Sequence, residues 1–140
     1  MPKENKVVLD TNIWITYFIK GKEPELLELI FNNDLEVFTS NELQNELQEV
    51  LSRSKFKKYL NAPIENYIAF HRKVATKISP SKVIDFIPDP KDNFLFDLAI
   101  AADAGYVITG DKILLALKKV YKVQVISLSA FKKVKGAGEM

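Results

Sequence analysis

Apolar residues fall along this chain in short continuous runs that alternate with stripes of helical period. Residues 6–9 (KVVL) form a β-type run that stops at Asp10. Residues 12–19 are apolar and aromatic, too continuous to be solvated, which predicts a buried helix. Lys20, Gly21 and Lys22 break it. A second helix is expected from Glu23 to about Phe31, with Pro24 in the first turn, where its missing N–H costs nothing. Asn33 and Asp34 mark a turn before a second strand at 35–39. Thr39, Ser40, Asn41 and Glu42 have the form of a capping box, and Leu43, Leu47, Val50 and Leu51 follow at helical spacing.

Residues 54–82 read as helical and basic, divided at Asn61, Ala62 and Pro63. Pro80, Pro88 and Pro90 bracket an irregular connection or short strand around 83–87. Asp89 and Pro90 then open a strongly apolar helix, 92–102. A third strand is expected at 106–109, followed by Gly110, Asp111 and a helix over 112–119. Residues 123–126 make a fourth strand, and a short basic helix at 129–134 ends the fold, with 134–140 a flexible tail. Strands separated by helices imply an α/β sandwich with a mainly parallel sheet. In such sheets, sites form beyond the carboxyl ends of the strands. With no repeat or linker, the 140 residues make one domain.

Composition narrows the chemistry. There is no cysteine, which excludes disulfides and thiolate chemistry and makes the cytoplasm the expected compartment. No stretch approaches the roughly 18 apolar residues of a membrane span, and the N-terminal apolar run is too short for a signal peptide. The single histidine, His71, excludes cleavage by paired histidines and a His-rich zinc site. A hydrolase here must therefore work with carboxylates. Net charge is only +2, but 53–82 carry eight Lys or Arg against one acid, and 112–140 carry seven against one. An acidic part set among basic parts suits a protein that grips phosphates around a metal pocket, although a solvated surface of patchy charge has the same layout.

Several acids fall where a site should be. Asp10 ends the first strand and is either a helix N-cap or a ligand, since an unpaired buried carboxylate is very costly. On the next helix, at roughly 100° per residue from Leu43, Glu46 lies near −60°, at the edge of the apolar stripe, whereas Glu42 and Glu49 lie near −100° and −120°. Glu46 is thus the acid most readily drawn inward; otherwise it is a solvated glutamate beside the core. Asp92 opens the apolar helix, where it could equally complement the helix dipole behind an Asp89 cap. Asp97 is a polar residue inside that helix and needs a partner, at a metal site or in a buried hydrogen bond. Asp111 follows the third strand, as a turn and cap residue or as a strand-end carboxylate. Clustered carboxylates repel one another unless a hard cation resolves the conflict, and oxygen-only ligands point to magnesium or manganese.

Three segments, VVLDTNIWI, SNELQNELQEVLSRSKF and DPKDNFLFDLAIAADAGYVITGD, together resemble the PIN-domain nucleases, and among them the toxin components of toxin–antitoxin pairs, akin to VapC-type toxins. The likeness runs from Val7 to about Phe131. It implies a three-layer α/β/α sandwich and four metal-binding catalytic acids, which fall on Asp10, Glu46, Asp92 and Asp111. Asn12 and Thr109 match polar positions that orient the acids, and Asp97 matches a position able to assist Asp92. The resemblance further implies hydrolysis of RNA phosphodiesters assisted by Mg2+ or Mn2+, a small antitoxin partner and a homodimer. Arg53, Lys55, Lys57, Lys58 and Lys112 are the expected phosphate contacts, with Tyr59, Tyr67 or Phe70 able to stack a base or else belonging to the core. The apolar surplus of the helices at 12–19 and 41–60 suggests a groove for an amphipathic partner helix.

Three rival readings remain beside it. A DNA or flap nuclease would use the same acids. A non-catalytic RNA-binding regulator would not need them. A phosphoryl-accepting receiver would need an acid after a middle strand and a later strand-end lysine, which this chain lacks.

Overall fold

The structure is a computed structural model and describes residues 3–82 and 92–138. The strand expected around 83–87, the Asp89 cap and the Pro90 first turn lie outside the described residues. The chain opens with β1 (Lys3–Leu9), α1 (Thr11–Ile19), α2 (Glu23–Asn32) and β2 (Glu36–Thr39). Three helices follow, α3 (Asn41–Leu51), α4 (Ser54–Lys57) and α5 (Ile64–Val74), then β3 (Thr76–Lys77). After the undescribed residues come α6 (Asn93–Ala101), β4 (Ala104–Ile108), α7 (Lys112–Leu115), β5 (Lys119–Val120), β6 (Val123–Ile126) and α8 (Leu128–Gly138).

The sheet runs β3-β2-β1-β4-β6-β5, with every pair parallel except β5 and β6. Order proceeds one way from β1 to β3 and the other way from β4 to β6, so it reverses between β1 and β4. Right-handed crossovers put the connections of the two halves on opposite faces, which yields the three-layer α/β/α sandwich. The two central strands are covered on both faces. Val7, Val8 and Leu9 of β1 and all of β4 are buried, so they read as continuous apolar runs, whereas the more peripheral β6 alternates.

The apolar surplus of α1 goes into the core. Ile13, Trp14, Ile15, Tyr17 and Phe18 are all buried, and α5 supplies ring partners. Phe18 packs against Tyr67 at 5.0 Å and Phe70 at 5.9 Å, and Trp14 meets the edge of His71 at 4.2 Å. Tyr67 is thus a core residue, and Phe70 packs against the core.

Four local expectations are corrected. The cap of α3 is Ser40, not Thr39: Ser40 Oγ accepts from Leu43 N at 3.3 Å, while Thr39 stays in β2 with its hydroxyl 2.8 Å from His71 Nε2. The basic 54–82 stretch is not helical throughout, because Ala75 turns to ψ 140° and Thr76 and Lys77 pair with Phe38 and Thr39. α7 stops at Leu115. Lys118 takes a φ of 61°, after which Lys119 and Val120 form a hairpin with β6 through a two-residue turn whose first residue, Tyr121, has a φ of 53°. Finally, α8 stays helical to Gly138, past position 134 where a tail was expected.

Candidate active site

Register fixes the heart of the site. Leu9 lies opposite Ile108, so Asp10 and Thr109 leave adjacent strands side by side at their carboxyl ends, where strand order reverses. Asp10 N donates to Ile108 O at 2.9 Å, and Thr109 N donates to Ile126 O at 3.0 Å, which extends the ladders to these two residues. Such a reversal leaves a crevice beyond the sheet, where α/β folds bind ligands.

Asp10 is buried and is both an N-cap and a cavity residue. Its Oδ1 accepts from Thr11 N at 2.7 Å. Its Oδ2 accepts from Thr109 Oγ1 at 2.7 Å and from Asn12 Nδ2 at 3.3 Å. Thr109 Oγ1 in turn accepts from Asp111 N at 3.0 Å. The Asn12 amide faces both ways, since its Oδ1 accepts from Gly110 N at 3.2 Å. On the other side, Thr11 Oγ1 donates to Glu46 Oε2 at 3.0 Å. One continuous chain of donors and acceptors therefore joins Glu46, Thr11, Asp10, Thr109 and Asp111.

Asp10, Glu46, Asp92 and Asp111, with Asn12, line a single cavity of ≈ 300 Å3. Glu46 is half-buried while Glu42 and Glu49 are exposed, as the helical wheel predicts. Asp111 caps α7, accepting from Ile113 N at 2.8 Å. Asp92 sits at the N-cap position of α6 and not inside its first turn, and its carboxylate makes no capping bond to the helix. Asp97 and Thr109 are buried and are not among the lining residues, Thr109 reaching the cavity only through its bonds to Asp10 and Asp111. Of the expected phosphate contacts only Arg53 lines the cavity; Lys55, Lys57, Lys58 and Lys112 are exposed outside it.

Electrostatics favour an added cation. Burial pushes the Asp10 carboxyl above its ordinary range, against the hydrogen bonds of Thr109, Thr11 and Asn12, and the charge of Asp111 pushes the same way as burial. Burial also raises Glu46; the Thr11 hydroxyl opposes it, and Asp10 and Glu49 reinforce it. The donor set is oxygen only and anionic, which fits a hard divalent ion. The acids nevertheless ring the cavity loosely: among the described residues no group of three or more His, Cys, Asp or Glu side chains is set to hold a metal ion by itself.

Two contributors were not picked out from sequence. Thr11, beside Asp10 in LDTN, supplies the hydroxyl that fixes Glu46. Phe56, an aromatic residue among Arg53, Lys55 and Lys57, lines the cavity in place of the aromatics expected there.

An acidic crevice at the switch point of a mainly parallel α/β/α sheet defines a carboxylate-site α/β protein. The PIN domain profile matches residues 6–113, and the chain belongs to the PIN-domain family, whose members are nucleases. A chain of the crystal structure of VapBC2 from Rickettsia felis, bound to a DNA fragment from their promoter, is similar with a TM-score of 0.58 and 18% identity. That match covers 86% of this chain and 96% of the other, and at this identity it shows a shared fold. No curated protein matches the sequence. Among the described residues no helix is long and apolar enough to cross a membrane.

Proposed function

We propose that this protein is an endoribonuclease dependent on Mg2+ or Mn2+ and the toxin of a toxin–antitoxin pair. The observation that carries the nuclease reading is the convergence of Asp10, Glu46, Asp92 and Asp111 on one cavity, with Asp10 and Glu46 joined through Thr11. These four carboxylates would hold the ion directly or through water, with substrate oxygens completing its shell. A bound ion supplies a lowered pKa for water and compensates charge building on the phosphate. Thr109, Thr11 and Asn12 hold the Asp10 carboxylate in one orientation and favour its charged form. Thr11 orients Glu46, and the carboxylate nearest the attacking water accepts its proton. Arg53 at the cavity rim contacts phosphate without reading sequence.

The toxin reading rests on the family resemblance and on the fold shared with the VapBC2 chain. A second observation supports a protein partner: Leu27 and Phe31 of α2 are 44% and 87% exposed and lie with Pro24 and Ile30 in one apolar patch. A small antitoxin inserting an arginine or lysine among the acids would inhibit by replacing the ion's charge.

Incubation with matched single-stranded RNA and DNA, in Mg2+ and then in EDTA, tests the activity. RNA cleavage lost in EDTA is expected. Preferential cutting of DNA would favour the flap-nuclease alternative, and binding without cutting would favour a regulator. Co-purification with a small partner that inhibits cleavage tests the toxin reading, and its failure would leave the nuclease reading standing.

A further inference from the structure

Two helical stripes lead away from the acids. On α1, Asn12, Ile15, Thr16 and Ile19 line the cavity at i, i+3, i+4 and i+7; on α3, Glu46 and Val50 line it and lead to Arg53 and Phe56. Seven residues of helix span about 10 Å, so the cavity is acidic at one end and apolar at the other. The acidic end suits a phosphodiester with its ion. The far end offers an aromatic ring and an aliphatic wall, which a sugar–phosphate chain alone would not use, beside a guanidinium that a phosphate can pair with.

Two details define that end. Lys55 Nζ stands 5.0 Å from the Phe56 ring centroid, and Phe56 is only partly buried. Arg53 is held by Glu49, its Nη2 donating at 3.1 and 3.2 Å, and its side chain is 50% exposed. The guanidinium is therefore kept at the rim, where a phosphate can reach it.

We propose that the apolar end is a nucleobase shelf: the base next to the scissile phosphate stacks on Phe56 between Ile19 and Val50, and Arg53 pairs with the neighbouring phosphate. The proposal rests on the nuclease reading and adds the subsite that grips the strand. The half-exposed Arg53 guanidinium beside an aromatic ring, continuous with the acids, points to a nucleotide as the occupant. The Thr16 hydroxyl already donates to Asn12 O at 2.8 Å, and the aliphatic neighbours offer nothing to a base edge. Stacking then supplies the grip, and every base has a face to stack.

The test uses the full chain and a labelled single-stranded hexaribonucleotide, compared with the same strand carrying abasic residues. Affinity is read by anisotropy in EDTA, and KM is read for cleavage in Mg2+. Phe56→Leu, which nearly conserves volume, should weaken the ordinary strand about tenfold in either readout, and Phe56→Tyr should restore it. The abasic strand should bind wild type and Phe56→Leu alike. Arg53→Gln should weaken both strands and flatten the salt dependence by about 0.7 in log–log slope. Equal losses on ordinary and abasic strands, or none, overturn the shelf. So does a Phe56→Leu effect confined to a co-purifying protein, which would assign this end to that partner. Wild type that cuts RNA while Phe56→Leu behaves normally removes the shelf alone, whereas wild type that neither binds nor cuts RNA removes the nuclease reading with it.

Discussion

Thr109 and Asp10, 99 residues apart in sequence, meet through a 2.7 Å hydrogen bond from Thr109 Oγ1 to Asp10 Oδ2. Because the same hydroxyl accepts from Asp111 N, one side chain sets the spacing of both strand-end acids. Thr109→Val removes the donor, takes from Asp10 Oδ2 its shorter hydrogen bond while that of Asn12 remains, and takes from Asp111 N its acceptor. A buried hydrogen bond to a charged group contributes about 1.5–3 kcal/mol, so denaturant unfolding should show a loss of that size. Cleavage should fall about 100-fold through misplacement, and Thr109→Ser should recover both.

Asp10 and Asp111 respond differently to neutralisation. Asparagine caps a helix as well as aspartate does, and Asp111 is half-exposed, so Asp111→Asn should keep the fold and relieve repulsion on Asp10. Its melting temperature in EDTA should equal or exceed that of wild type while cleavage disappears. In Asp10→Asn one carboxylate oxygen becomes an amide facing donors, so thermal unfolding should show a lower melting temperature. A fall of several degrees for Asp111→Asn would make that acid a structural cap.

Glu46→Gln should abolish cleavage, whereas Glu49→Gln, which loses an exposed pair with Arg53 and a minor charge near Glu46 but no group lining the cavity, should keep the rate within a few-fold of wild type. Parallel rate measurements on the two variants decide whether the inward face of α3 bears the active acid.

His71 is fully buried, and desolvation, with a smaller push from Arg72, lowers its pKa to about 4 from 6.5. The unfolded chain therefore binds the extra proton first. Stability present above pH 6.5 is lost as pH falls toward 4, by about 3 kcal/mol in all. Asp10 and Glu46 act with the opposite sign: their raised pKa values give stability at low pH that is lost as pH rises through them. His71→Phe should remove the His71 share, so urea midpoints between pH 6.5 and 5 should fall less steeply than in wild type.

Sequence periodicity was enough for the central strands and for α1, α2, α3 and α6, because their apolar runs and stripes are long, whereas the extent of the short-striped α8 was underestimated. It missed β3 and β5, which pair over two residues each and carry no alternation. The β5 hairpin also lacks a glycine, with Tyr121 taking the positive φ that usually signals such a turn. In the site, helical geometry separated Glu46 from Glu49. Thr109 was named through the resemblance alone, since its bond to Asp10 depends on register between strands 99 residues apart, and Thr11 was missed because its bond to Glu46 joins two helices 35 residues apart.

The most direct measurement is anomalous diffraction from crystals grown with Mn2+. The expected result is an ion in the cavity among Asp10, Asp92 and Asp111, ligated by oxygen alone, with Glu46 bound directly or through water. An empty cavity with manganese bound elsewhere, or a site that recruits His71, would contradict it.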